Sequence, residues 1–314
     1  MTHAALWKKA LHESRTLWLA TGVILFAFCW LRVWMISLVP MQNFATIIEQ
    51  LPQIKRFLPV EVSQLFTYAG RIALTFDELI TVMGIAVWSI SRGSDVVSGE
   101  LGRGTLEMML GQPVGRREFF WSKTIVGLAG LLLLAFACWL GIYTGIQLTS
   151  IDKPIPSVID NPVMAFVEAP TVRGPLSAEV DPMWFLPATV NLLALGLFLY
   201  GMAALWSSLD RYRWRTIGIT SGIFAVSIII KVVALASERF EWLKAVTFLS
   251  AYEPQRIVQC AVATPEYLWS LWRVSSDGWE LAPLGMDILL SGLGLLMLAS
   301  AAELFARRDL PAPC

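Results

Sequence analysis

Six stretches of the chain, residues 16–39, 70–91, 124–149, 185–209, 216–237 and 284–305, are apolar and at least 22 residues long. A helix needs about 20 residues to cross the ~30 Å hydrocarbon core of a bilayer. That length predicts an all-α polytopic membrane protein with six transmembrane helices. Charged residues make up only 15% of the 314, against about 25% in soluble domains. The spans and their loops use nearly the whole length, so residues 16–314 read as a single membrane domain. Net charge is zero, and no basic tract points to nucleic acid.

Charge asymmetry orients the bundle. With the N-terminus inside, the inner segments hold Lys8, Lys9, Arg15, Arg92, Arg103, Arg116, Arg117, Lys123, Arg211, Arg213, Arg215, Arg307 and Arg308. The longer outer loops, 40–69, 150–184 and 238–283, hold only Lys55, Arg56, Lys153, Arg173, Arg239, Lys244, Arg256 and Arg273. The positive-inside rule therefore places both termini in the cytoplasm. Trp18, Trp88, Trp121, Trp184, Trp206 and Trp214 fall near the proposed interfaces, where amphipathic rings settle.

Residues 1–15 read as a cytoplasmic amphipathic helix, with Ala4, Trp7 and Leu11 on one face and Lys9 and Glu13 opposite. The apolar run that follows exceeds a signal-peptide h-region and has no A-x-A site, so an uncleaved first helix is expected. The proline-rich loop 150–184 reads as mostly irregular. The loop 238–283 contains two apolar stretches, around 240–249 and 261–272, too short to span and suited to re-entrant or interfacial helices. The cysteines Cys29, Cys138, Cys260 and Cys314 have no disulfide or metal spacing; Cys29 and Cys138 read as packing residues. Small residues in spans three and six, including Gly127, Gly130, Gly285 and Gly294, predict close helix contacts.

The long cytoplasmic loop, 92–123, carries the most information. Thr105 is a plain cap for a short helical run ending at Leu110. Leu106, Met109 and Leu110 share one face of it. Gly111 can stop that run and Pro113 prevents its return. Arg116 and Arg117 open a second helix that leads through Lys123 into span three. A short amphipathic helix is thus held beneath the membrane between two spans, in the manner of a coupling helix that seats in a motor domain. An ordinary connector without a partner is the plainer alternative.

Glu100, Gly104-Thr105-Leu106, Leu110, Pro113-Val114, Arg116 or Arg117 and Lys123 resemble the cytoplasmic signature of ABC-2 type permeases. The tail Phe305-Ala-Arg-Arg-Asp-Leu-Pro and the basic N-terminal helix ending Glu13-Ser14-Arg15 are similar to that family as well. The resemblance covers essentially the whole chain. It implies the membrane subunit of an ATP-driven exporter in the plasma membrane, paired with a second permease copy and with separate ATP-binding subunits. ATP and magnesium would then be bound by the partner, and this chain would hold no cofactor, no metal and no catalytic residue. The sequence has no G-x-x-x-x-G-K-[ST] phosphate loop, so an ATP motor would be another chain. On this reading Glu100, Gly104, Thr105, Leu106, Met109, Leu110, Pro113, Arg116 and Arg117 form the motor-docking segment.

Arg32, Arg71, Asp77, Glu78, Lys231 and Asp287 lie within or at the edge of the spans, in roughly their outer third. Such charges are costly in lipid. They serve either as structural pairs or as a polar external vestibule formed by Arg32, Asp77, Glu78, Lys231 and Asp287. Two rival functions stay open on the sequence. One is a membrane anchor or assembly component that transmits force without moving a substrate. The other is an intramembrane enzyme acting on lipid through Asp77, Glu78 and Asp287.

Overall fold

The computed structural model describes residues 3–38, 67–104, 115–154, 171–236, 238–275 and 278–308 of the chain. Among these described residues, six helical segments are long and apolar enough to cross a membrane, as the sequence predicts. In hydrocarbon each backbone N–H and C=O must find a partner within the protein, which the helix supplies internally.

Helix α1 (His3–Leu38) is continuous. The amphipathic stretch, from residue 3 onward, is therefore the first turns of the same helix as span one. At ~1.5 Å per residue α1 reaches roughly 54 Å, well beyond the hydrocarbon thickness. Span two is broken, where the sequence predicts one helix over 70–91. It consists of α2 (Tyr68–Ala73), a 3-10 turn (Leu74–Phe76) and α3 (Leu79–Asp95). Adjacent carboxylates Asp77 and Glu78 occupy the break, and Glu78 is extended (φ −62°, ψ 141°) with its side chain 2.6 Å from Arg32. The freed carbonyl of Phe76 accepts a 2.6 Å hydrogen bond from the Tyr252 hydroxyl. Burial pushes the Tyr252 phenol well above its ordinary pKa, so it remains protonated and able to donate.

A short helix α4 (Ser98–Arg103) follows α3, and span three is α5 (Arg116–Leu148). Helices α1 and α5 pack lengthwise. Gly141 allows this approach, because a Cβ there would stand 2.5 Å from the Phe26 carbonyl oxygen. Cys29 and Cys138 are free and buried within the core.

Helix α6 (Leu186–Leu209) is the most buried span and packs chiefly on α9 (Pro283–Arg307) and α3. At the α6–α9 crossing, Gly201 and Gly294 meet backbone to backbone, the close approach that small residues permit. Helix α7 (Arg213–Ala236) is peripheral and presents Ile223, Val226, Ile229 and Val232 outward.

The outer loops contain more order than the sequence suggests. Strands β1 (Ser150–Pro154) and β2 (Thr171–Pro175) form an antiparallel hairpin in the loop expected to be irregular, and buried Ile151 and Leu176 anchor it. Between α7 and α9 lie 3-10 segments at Glu238–Val246, Phe248–Ala251 and Pro265–Trp269, helix α8 (Pro254–Ala263) and hairpin β3 (Trp272–Ser275)–β4 (Gly278–Leu281). Pro254 opens α8 at a position where its missing N–H costs nothing. The apolar stretch at 240–249 is 3-10 rather than α-helical. The α-helix begins between the two stretches the sequence marks and runs into the start of the second, and its buried face (Ile257, Val258, Cys260, Ala261) repeats at helical spacing.

Candidate functional site: the ion network at the basic end of the bundle

The start of α1, the end of α3, α4, the start of α5, the end of α6, the start of α7 and the end of α9 converge at one end of the bundle. A small core of Val96, Val97, Phe119, Phe120, Tyr200, Leu298 and Phe305 floors this end. On that floor sit two buried carboxylates, Asp95 (5% exposed) and Glu100 (0%).

Glu100 is held from three elements. Lys123 Nζ lies 2.5 Å from its Oε1, Arg103 Nη2 2.9 Å from the same oxygen, and Lys9 Nζ 3.2 Å from Oε2. Asp95 Oδ1 receives Arg103 at 3.0 Å and Arg213 at 3.4 Å, while its Oδ2 faces Lys123 at 3.3 Å. Glu13 completes the set, 3.7 Å from both Lys9 and Lys123. Burial disfavours the Arg103 guanidinium, but its bonds to Asp95 and the charges of Asp95 and Glu100 outweigh this and hold it above its ordinary value.

The backbone is tied in too. Ser207 of α6 accepts from the backbone N–H of Val97 (3.1 Å) and Ser98 (2.9 Å) and donates to the Ser94 carbonyl (2.9 Å). The orphan donors at the start of α4 are thereby satisfied from a different span. Arg92 reaches the Ser14 hydroxyl at 3.3 Å, and Arg213 reaches the Ser91 carbonyl at 3.2 Å.

Glu13, Asp95 and Glu100 lie close enough together to suggest a cation site. Four side-chain cations, Lys9, Arg103, Lys123 and Arg213, already meet these three carboxylates. The charge is balanced by protein, and the cluster has no electrostatic need for a metal.

Gly104 ends α4 in the left-handed region, φ +69°, with its N–H on the carbonyls of Glu100 and Leu101. Any other residue would be strained here, which gives a physical reason for the glycine of the Gly-Thr-Leu run. Thr105, Leu106, Met109, Leu110 and Pro113 lie outside the described residues. Beyond them, Arg116 donates to the Arg308 carbonyl at the end of α9 (2.6 Å), and Arg117 pairs with Glu303 (2.6 Å). Arg308 in turn donates to the Ser208 carbonyl of α6 (2.9 Å). The segment 105–114 is therefore flanked by two anchored stems. Glu100 serves as an interior pivot of the first stem, and Arg116 and Arg117 fasten the second to α9.

At the opposite end the charges predicted within spans form separate small groups. Arg32 pairs with Glu78 at 2.6 Å. Lys231 donates to the carbonyls of Leu249 (3.1 Å) and Tyr252 (2.7 Å) and lies within electrostatic reach of Asp77. Asp287 accepts from Asn191 at 2.8 Å. Arg71 donates to the Ile36 carbonyl at 2.7 Å. Four of the five vestibule residues thus form two neighbourhoods, Arg32 with Glu78 and Asp77 with Lys231, while Asp287 belongs to a third.

Asp95, Lys9, Arg213 and Ser207 are network members that motif reading missed. For the charged members the one sequence signal is that acidic residues embedded in the most basic segments need cationic partners; Ser207 has none.

This architecture defines a multi-pass membrane protein whose one long loop at the basic end is braced against the spans. The sequence model of the family described as ABC-2 family transporter protein matches residues 5–310. The chain belongs to that family, as the membrane subunit of a transporter. Membership implies an ATP-binding-cassette partner and a lipid environment. No curated protein and no solved structure matches the chain.

Proposed function

We propose that this chain is the permease of an ATP-driven exporter in the plasma membrane, worked by a separate ATPase that grips the segment 105–114 from the cytoplasm. Leu106, Met109 and Leu110 would fill a groove of that motor. ATP and magnesium would bind to the motor, and a second permease copy would complete the pathway.

The observation that carries this reading is the bracing of both stems. Glu100 and Arg103 link α4 to α1, α3 and α5, Asp95 carries the network on to Arg213 of α7, and Arg116 and Arg117 link α5 to α9. Ser207 joins α6. A displacement of the loop would reach five spans through charge-assisted bonds, which are short and directional, and α6 through the neutral hydrogen bonds of Ser207.

The test is Leu106→Asp in the full complex. The variant is expected to insert normally, to lose co-purification of the motor and to lose ATP-dependent activity. Retained motor binding would refute the docking role. ATPase activity stimulated only by a protein partner, never by a transported molecule, would favour a force-transmitting anchor over a permease.

A further inference from the structure

A groove of about 450 Å³ opens between α1 and α5 at the basic end. Its rim is Lys8, His12 and Arg15, and its apolar wall is formed by Trp18, Trp88, Val126 and Leu133. Among the described residues nothing forms an ion pair with Lys8 or Arg15, although cations a few residues away are pulled into the network. The indole N–H of Trp18 is buried without a hydrogen-bond partner at this wall, a cost a folded protein usually avoids.

The position of the groove along the two helices is informative. Its rim belongs to residues 8–15, before the apolar run of span one begins at 16. Its wall belongs to Trp18 and to residues 126–133, inside spans one and three. Polarity therefore changes from cationic to apolar at the depth where a phospholipid changes from headgroup to chain. Gly130 leaves room for Trp88 to form the inner wall, since a Cβ there would run into the indole. Ala129, at the mouth, is exposed.

We propose that this groove binds an anionic phospholipid of the leaflet at the basic end, with its headgroup on Lys8 and Arg15 and one acyl chain along Trp18 and Leu133. The charge of the rim selects an anionic over a zwitterionic headgroup. Depth and apolarity select a lipid over a free anion. Ser14 lines the groove and also accepts from Arg92 of α3, so the groove adjoins the ion network.

The experiment uses delipidated full-length protein and native mass spectrometry. Phosphatidylglycerol and phosphatidylcholine of identical chains compete, and inorganic phosphate forms a third arm. Wild type is expected to retain phosphatidylglycerol about tenfold or more over phosphatidylcholine, the scale of two basic side chains on an anionic surface. Lys8→Gln with Arg15→Gln, both at exposed positions, is expected to bring the ratio near one. Ala129→Phe, which fills the mouth and keeps both charges, is expected to abolish the preference as well. Equal retention of the two lipids by wild type would overturn the proposal, as would a preference that survives both variants. Displacement of the lipid by phosphate would show a free-anion site and overturn it too.

Discussion

The two ends of the bundle use similar residues in opposite ways. At the basic end two buried carboxylates are shared among four cations from α1, α4, α5 and α7. At the other end the charges of the predicted vestibule are settled in small separate groups: Arg32 on Glu78, Lys231 on two carbonyls, Asp287 on Asn191. A shared network couples every element that enters it, whereas a pair fixes only its two members. The basic end is thus suited to passing a displacement between spans. The other end holds a broken helix and its covering segments in place.

The sharpest way to break this contrast is Glu100→Gln. Removing one partner of a buried ion pair costs about 3–5 kcal/mol, because the opposite charges remain buried and uncompensated. Thermal unfolding in detergent should show the largest loss of any single charge change, and ATPase coupling in the complex should fall with it. A wild-type melting curve would mean that the network is not cooperative.

Tyr252→Phe probes the break in span two. It leaves the Phe76 carbonyl without its donor at a buried site, a cost of about 1–3 kcal/mol. Proteolysis near residues 74–78 should quicken, with coupling at the basic end unchanged. Arg32→Gln removes a partly exposed pair, and such pairs contribute roughly 0.2–1 kcal/mol. Its melting shift should be small and should shrink further in high salt. Arg117→Gln should leave the melting curve unchanged, because its bond to Glu303 is surface-exposed and screened. If Arg117→Gln nonetheless impairs coupling, the second stem acts in transmission rather than in stability.

Much of the fold was legible in the chain because the bilayer imposes a length and a polarity that any span must meet. Span number follows from those stretches alone. The break at Asp77–Glu78 was not legible, since the flanking residues are as apolar as any span; what stabilises it is Tyr252, 176 residues away. The hairpin at 150–154 and 171–175 is not legible for a similar reason, its strands being short and far apart in sequence.

The sequence by itself determined the membrane class, the six spans and the family, all of which rest on local composition and contiguous motifs. Only the tertiary structure decided what the charges do. It turned Glu100 into an interior pivot and recruited Asp95, Lys9 and Arg213 to it. It left Lys8 and Arg15 at the rim of a groove, without an ion pair among the described residues. Ion pairing depends on distances between helices, and neither periodicity nor composition encodes those distances.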